Sequence, residues 1–277
     1  MIKDYSALIE YLKKEIKNQC DIAVVGLSGG ADSSLVAILC MCALGKENVY
    51  GISMPYNVTD EKTFNRISVE LAEKIKIKHM FRPIRTLSDE LNKLIFLECK
   101  EEITPTNSGN SRSRARMCVL YGIAHTLSSK YKNKRVRVVG TGNLSEDFIG
   151  YDTKGGDALA DFFPIGELYK SEVYELLEYF RDEGVIEEEN INRTPSAGLE
   201  ENQTDEKDLG YSYNELEPAI RKCLYELQKV KFDYGAVVIS ETETEELKFV
   251  WRRHLLNKHK HEALPVVKIR KLTGMVV

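Results

Sequence analysis

The stretch VVGLSGGADSSLVAILC, residues 24–40, carries the pattern that decides the fold. A short apolar run rich in β-branched residues leads into the glycine pair Gly29 and Gly30, and a second apolar run begins at Leu35. An apolar run of this kind, bounded by glycines, predicts a buried strand of a parallel sheet. The glycines then predict a tight turn whose backbone approaches another group closely, followed by a helix over residues 33–44.

Strand–helix alternation continues along the chain. Further strands are predicted at 49–55, 78–84 and 135–143, and further helices at 4–18, 59–77, 87–98, 111–131, 170–183, 213–229 and 241–258. Residues 144–166 are glycine-rich and are predicted to be irregular, and residues 191–210 are predicted to be a polar loop. The pattern predicts an α/β fold, a doubly wound parallel sheet with helices on both faces and a C-terminal helical extension.

The bulk composition narrows the class of protein. A length of 277 residues, with 43% hydrophobic and 30% charged residues, predicts one domain over residues 1–277. The net charge of −4 disfavours a general nucleic-acid binder. The six cysteines form no Cys-x-x-Cys pair, which favours reduced core thiols over zinc or disulfides. No segment reaches the roughly 18 consecutive apolar residues of a membrane span, and the N-terminal helix is too polar for a signal peptide. We expect a cytoplasmic protein that binds neither nucleic acid nor membrane.

The turn after the first strand has the properties of an anion site. Ligands of open α/β sheets bind beyond the carboxyl ends of strands, where the N-terminus of the next helix favours an anion. Ser28, Ser33 and Ser34 add hydroxyl groups, so we predict that the turn holds phosphate. A Walker A loop is excluded, because Ala31 and Asp32 stand where that motif requires glycine and lysine.

Asp32 needs its own explanation, since a carboxylate within a phosphate loop repels the ligand unless a cation lies between them. We therefore expect Mg²⁺ to bridge Asp32 and the phosphate. The turn alone leaves open an alternative in which Asp32 only caps the helix.

Ser-Gly-Gly-x-Asp-Ser after a strand, here residues 28–33, resembles the signature of the ATP pyrophosphatase fold group. Members of that group cleave ATP between its α- and β-phosphates. Four further stretches, in the expected order, resemble the ammonia-dependent NAD synthetases of that group. They are GNSRSRARMCVLY (109–121), GTGNLSEDFIGYDTKGGDALADFFPIGELYKSEVYEL (140–176), PSAGLEENQTDEKDLGYSY (195–213) and NKHKHEALPV (257–266).

The resemblance implies ATP-dependent amidation of deamido-NAD to NAD with ammonia, through an acyl-adenylate, by a Mg²⁺-dependent homodimer. We expect a single synthetase domain, because 277 residues leave no room for a glutaminase domain as well. Free ammonia is then the expected nitrogen source, unless a separate glutaminase subunit delivers it. The resemblance also implies the site residues. The expected ATP contacts are Gly26, Leu27, Ser28, Gly29, Gly30, Ala31, Asp32, Ser33, Thr141, Lys170 and Ser196. The expected deamido-NAD contacts are Arg114, which acts across the dimer interface, and Lys154, Asp161, His259 and Lys260.

Metal and catalytic roles follow from the same resemblance. Asp32 and Glu146 are the expected Mg²⁺ ligands, and Asp32 and Lys170 the expected catalytic groups at the phosphates. Asp157 is the candidate for the ammonia pocket, where a carboxylate can hold ammonium and help to remove a proton, because only neutral ammonia is a nucleophile.

Three alternatives remain open at the level of sequence. In the first alternative, the same chemistry acts on nicotinic acid mononucleotide or another carboxylate. A tRNA-thiolating enzyme is disfavoured, because the chain shows neither clear catalytic cysteines nor a basic surface. A nucleotide-sensing module without catalysis is disfavoured, because Asp32, Glu146, Asp157 and Asp161 are all present.

Overall fold

A computed structural model of the chain describes residues 2–56, 61–99, 103–191, 204–237, 239–240 and 242–262. The helices are α1 (Tyr5–Gln19), α2 (Ala31–Leu44), α3 (Glu61–Lys74), α4 (Arg85–Cys99), α5 (Pro105–Lys130), α6 (Leu144–Ile149), α7 (Lys170–Asp182), α8 (Asp205–Leu209), α9 (Tyr213–Lys229) and α10 (Glu245–Asn257). The strands are β1 (Ile22–Gly26), β2 (Val49–Ser53), β3 (Lys78–Phe81) and β4 (Val136–Val139). The predicted strands are all confirmed, each a few residues shorter than expected at its carboxyl end.

The four strands form one parallel sheet in the order β3-β2-β1-β4. The chain runs outward from β1 to β3 and then returns to place β4 on the other side of β1. The strand order therefore reverses between β1 and β4, where Val25 is paired with Val139. Ligands of open parallel sheets bind at the carboxyl end of such a switch point, so the loops after β1 and β4 define the functional edge.

Helices cover both faces of the sheet, as predicted. One apolar core packs α1, α2, α3 and α7 against one face, and its largest fully buried side chains include Ile16, Leu35 and Leu176. The other core packs α4 and α5 against the opposite face around Val24, Ile52 and other residues. Helix α2 is apolar all around, as expected of a helix buried between the sheet and its neighbours.

A third apolar core lies outside the sheet and joins α6 and α8 to the helices α9 and α10. This unit is the predicted C-terminal extension. Helix α10 and the turn after it also fasten the C-terminal end of α6. Arg253 Nε donates to the carbonyl of Ile149 at 3.1 Å, and Lys260 Nζ donates to the carbonyl of Gly150 at 2.7 Å. Cations at a helix C-terminus satisfy its free carbonyls and its dipole.

Three sequence predictions were wrong in their boundaries or type. The helix expected from residue 111 begins at Pro105, because Thr104 caps it by accepting from the Asn107 backbone N–H. The segment 144–166 was expected to be irregular, but its start folds as α6 with Asn143 as its N-cap. The polar loop 191–210 contains α8, which Thr204 caps. Both helices span only five or six residues, too short to show an apolar period.

Among the described residues, no helix combines the length and the apolar character that crossing a membrane requires. The long helix α5 carries several arginines along its length.

Gly140, at the end of β4, is expected to tolerate no side chain. A methyl group there would lie 2.9 Å from Ala160 Cβ and would overlap the ring of Phe163. Gly140→Ala should lower the free energy of unfolding by about 1–3 kcal/mol, because the sheet edge is already fully packed. Urea denaturation followed by circular dichroism measures the change.

Gly122 supplies the matched control, since it lies within α5 and a methyl group there meets no atom of the described residues within 4 Å. Gly122→Ala should raise stability by about 0.5–1 kcal/mol through the helix preference of alanine. Equal effects of the two substitutions would contradict the close packing at Gly140.

Candidate active site at the carboxyl edge of the sheet

The glycine turn after β1 is held by its own serines. Gly29 adopts a φ of +76°, a left-handed conformation that favours glycine. The hydroxyl oxygens of Ser28 and Ser33 lie 3.0 Å apart, and Ser33 Oγ donates to the carbonyl of Gly30 at 3.0 Å. Helix α2 begins directly after Gly30, which has no side chain to cap the first N–H groups. The turn therefore presents a helix N-terminus suited to a phosphate group.

Three charged side chains meet beside this turn. Lys170, the first residue of α7, places its Nζ 2.6 Å from Asp32 Oδ2 and 2.7 Å from Glu146 Oε1. The lysine side chain is 5% exposed, and the two carboxylates are 17% and 19% exposed. Asp32 comes from the loop–helix unit after β1 and Glu146 from the one after β4. The strand-order switch thus explains why residues more than a hundred positions apart converge.

Burial and charge together set the protonation of this triad. Burial by itself lowers the pKa of Lys170, but the two carboxylates outweigh it and hold the pKa above its usual value. Burial raises the pKa of Glu146, and the neighbouring Asp32 adds to that effect while Lys170 opposes it. With both carboxylates ionised, the triad carries one negative charge more than the Lys170 ammonium neutralises. The site is therefore suited to a further cation.

Hydrogen bonds with neighbouring side chains position the triad. Asn143 caps α6 by accepting from the Glu146 N–H at 3.1 Å, and its Nδ2 donates to Asp32 Oδ1 at 2.9 Å. Lys170 N–H donates to Ser145 Oγ at 3.0 Å, and that hydroxyl donates to the buried Glu217 Oε1, also at 3.0 Å. A carboxylate at the start of α7 also complements the helix dipole.

Asn143, Ser145 and Glu217 were missed by the sequence analysis. Asn143 carried a detectable signal, because asparagine three residues before the first acid of a short helix fits an N-cap. Glu217 carried none, since it lies within α9 and contacts Ser145 only through the tertiary fold.

A cavity of about 280 Å³ opens beside the triad. Its walls include Lys170, Tyr174, Asp205, Ser212 and Tyr213. Tyr213 Oη donates to Asp205 Oδ2 at 2.9 Å and lies 3.4 Å from Glu146 Oε1. Helices α8 and α9 thus extend the site beyond the sheet edge with residues that the sequence analysis did not single out.

The remaining predicted ATP residues lie around the same edge. Leu27 and Ala31 are buried, so any contact they make to a ligand comes from their backbone. Gly26 ends β1, and Thr141 is half-buried in the loop after β4. Ser196 lies outside the described residues.

Part of the predicted dinucleotide set forms a connected group beside α5. Arg114 Nε donates to the carbonyl of Lys154 at 3.3 Å, and Lys154 Nζ donates to the carbonyl of His259 at 2.7 Å. Lys260 binds backbone carbonyls of the loop after α6. Asp161 lies apart from the contacts of this group and accepts from the Val138 N–H of β4 at 2.8 Å.

Asp157, the residue predicted for ammonia, is exposed and already fixed by the chain. Its Oδ1 accepts from Ser113 Oγ at 2.9 Å and from the Thr153 N–H at 2.7 Å. These bonds orient one carboxylate oxygen inward.

A second acidic group lies near Lys260. Ligand atoms of Asp147, Asp152 and His261 lie within 4.8 Å of one another. Asp152 is already paired with Lys260 at 3.2 Å and with His261. We interpret this group as an ion pair network that holds the segment after α10.

A doubly wound parallel sheet, with a glycine turn and a buried cluster of opposite charges at its switch point, defines an enzyme that acts on a nucleotide. The NAD synthase family model matches residues 4–264 of the chain. The chain belongs to the NAD synthase family.

Relatives agree with this assignment. The chain is 34% identical over 264 residues to the NH(3)-dependent NAD(+) synthetase of Wolinella succinogenes, covering 95% of this chain and 94% of that protein. The structure of an NMN synthetase from Francisella tularensis superposes with a TM-score of 0.71 at 26% identity, over 95% of this chain and 97% of that one. An NH3-dependent NAD synthetase from Campylobacter jejuni, in complex with nitrate, superposes with a TM-score of 0.68 at 28% identity over the same shares.

The double role of Asn143 as helix cap and Asp32 partner can be separated by mutation. Asn143→Ala should lower the free energy of unfolding by about 1–2 kcal/mol through loss of the cap, and should also slow turnover. Asn143→Ser keeps a capping hydroxyl but is too short to reach Asp32. It should therefore restore stability, measured by urea denaturation, while AMP formation stays slow. Full activity in Asn143→Ser would show that the bond to Asp32 is not needed.

Proposed function

We propose that this chain, as a single synthetase domain, uses ATP and free ammonia to convert deamido-NAD into NAD, releasing AMP and pyrophosphate. The proposal rests on one observation, the buried ion pairs that Lys170 forms with Asp32 and Glu146 beside the glycine turn. Phosphoryl and adenylyl transfer spread negative charge over oxygen atoms, so catalysis depends on cations and N–H donors held in place beforehand. The family membership supports the choice of substrates, and the contacts of these side chains support the roles proposed for them.

The first step makes the inert carboxylate reactive. A nicotinate carboxylate oxygen of deamido-NAD attacks the α-phosphorus of ATP, and the bond to the bridging oxygen of pyrophosphate breaks. The N-terminus of α2 and residues 28–33 receive the departing phosphates through backbone N–H groups. Lys170 adds a positive charge at the same place.

In the second step ammonia attacks the acyl carbon of the adenylate. The C–N bond forms, the bond to the AMP oxygen breaks, and a proton leaves the nitrogen. We assign Asp157 to hold ammonium near the acyl group and to assist that proton transfer, since its orientation is fixed by Ser113 and Thr153. Arg114, Lys154, Asp161, His259 and Lys260 are the proposed contacts to the dinucleotide.

Mg²⁺ fits the residues at the triad. Asp32 and Glu146 turn one carboxylate oxygen each toward a single point, at which the Lys170 ammonium now stands in for a cation. Mg²⁺ prefers such hard oxygen ligands and shares them with substrate phosphates. When bound, it would neutralise charge on the phosphate oxygens.

Asp32→Asn tests the role of this carboxylate with little change of shape. The rate of AMP formation should fall by roughly a hundredfold or more, the size expected for losing a charge partner of the transferring group. Measurement of AMP and pyrophosphate by mass spectrometry, with ATP, ammonium and deamido-NAD supplied, gives the rate. Asp21→Asn is the control, because Asp21 pairs with Arg135 on the surface at the opposite end of β1. Undiminished AMP release by the Asp32 variant would remove Asp32 from the reaction.

The same assay decides the substrate. Nicotinic acid mononucleotide is supplied in a parallel reaction with labelled ammonium, since one solved relative is named an NMN synthetase. We expect label in NAD and little in nicotinamide mononucleotide. Turnover of the mononucleotide alone would overturn the choice of deamido-NAD.

We further propose a homodimer, supported by apolar exposure on α4. Leu94 is 61% exposed, and Ile95 and Leu87 beside it are also exposed. Helix α4 packs against α5, which carries the exposed Arg114 that is expected to act across an interface. Such a patch marks an association surface.

Leu94→Glu should convert the dimer into a monomer and lower activity with deamido-NAD, because a charge would have to be buried at the interface. Light scattering after size exclusion gives the mass. Leu256→Glu is the matched control, since Leu256 is equally exposed, at 64%, on α10. An unchanged mass for both variants would place any interface elsewhere.

A further inference from the structure

The position of Lys170 raises a question about cation binding. Its Nζ lies between Asp32 Oδ2 and Glu146 Oε1, and only 5% of its side chain is exposed. A divalent cation on the same two oxygens would bring like charges together in a poorly solvated place. Such repulsion is strong where water is excluded. The ammonium must therefore move when the cation binds.

Asp205 has the properties of a second acceptor for this ammonium. The residue is 3% exposed, and its Oδ2 accepts from Tyr213. Within the described part of the chain its Oδ1 accepts no direct hydrogen bond, since the nearby Tyr151 hydroxyl donates to Asp208. A buried carboxylate oxygen without a partner costs free energy and calls for a donor. Asp205 and Lys170 line the same cavity, which connects the two side chains.

Tyr213 connects the two positions. Lys170 Nζ lies 5.5 Å from the centroid of the Tyr213 ring, and the hydroxyl of that ring is bonded to Asp205. An aromatic face attracts an ammonium group, so movement from the carboxylate pair toward Asp205 keeps the charge in favourable surroundings. The hydroxyl also lies 3.4 Å from Glu146 Oε1, which ties the ring to the site that the lysine leaves.

We propose that Asp205 is a positioning residue that receives the Lys170 ammonium when a divalent cation takes its place between Asp32 and Glu146. This inference rests on the proposed metal site. Lysine has three N–H donors, so one can bind Asp205 Oδ1 while the others face the phosphates of ATP. Asp205 then keeps the freed lysine beside the reacting group rather than in solvent.

The test measures cation binding without nucleotide, so that catalysis does not enter. Mn²⁺ is titrated into the full-length protein, and free Mn²⁺ is followed by electron paramagnetic resonance. Lys170→Met removes the competing ammonium, and Mn²⁺ affinity should rise by roughly tenfold or more, because a buried like charge has gone. Asp205→Asn should lower the affinity, since the displaced ammonium then meets a neutral amide in place of a carboxylate.

The double variant separates two explanations for Asp205. If Asp205 acts only as a distant negative charge, Asp205→Asn lowers Mn²⁺ affinity equally with and without Lys170. If it receives the ammonium, the loss is several-fold larger in the wild-type background than in the Lys170→Met background, the sign of coupling in a double-mutant cycle. Equal losses overturn the proposal, as does an unchanged affinity in Lys170→Met.

Two controls complete the design. Asp208→Asn removes a carboxylate from the same helix α8, but one that is exposed and bonded to Tyr151, and it should leave Mn²⁺ binding unchanged. Glu146→Gln tests the metal site itself and should abolish binding. Binding that is lost in Glu146→Gln but indifferent to Lys170 would keep the metal site and reject the transfer of the ammonium. Mn²⁺ binding that survives Glu146→Gln, or is absent from every variant, would reject both.

Discussion

The ammonium of Lys170 between two carboxylates is the interaction on which the functional edge depends. It joins α2, α6 and α7, three helices that the sheet and its switch point bring together. Buried ion pairs contribute little net stability, because desolvation offsets most of the attraction, but removing one partner leaves a charge stranded. The triad is thus better explained as the setting of a reactive site than as a stabilising contact. The hydrogen bonds between Asn143 and Asp32, and between the Lys170 N–H and Ser145, hold the triad in place.

The fold could be predicted because its signals are local. Strands of four or five residues alternate with helices of thirteen residues or more, and most of these elements show either a continuous apolar run or a helical apolar period in the sequence. Helices α6 and α8 were missed since they are one or two turns long and are defined by Asn143 and Thr204 as caps rather than by apolar spacing. Cap residues are also common in loops, so a glycine-rich or polar context hides them.

The charged residues of the candidate site could be predicted from the sequence, but the residues that position them could not. Asp32, Glu146 and Lys170 stand at motif positions, and the structure brings these three into contact. Asp205, Tyr213 and Glu217 come from helices outside the sheet, and their relation to the triad exists only after tertiary packing. The lysine also differs from the ordinary expectation for a residue that opens a helix, which is exposure to solvent. Family resemblance, not periodicity, was the signal for it.

The fastening of α6 by Arg253 and Lys260 has a consequence for how the protein is made. Glu146 sits on α6, yet the groups that hold the end of α6 lie more than a hundred residues further along the chain. During synthesis the sheet and its first helices leave the ribosome well before α10 does. The growing chain can thus bury the sheet early, while the cluster of Asp32, Glu146 and Lys170 acquires its final anchors only after α10 has emerged. The final placement of Glu146 therefore waits for synthesis of the distal helix and the turn that follows it.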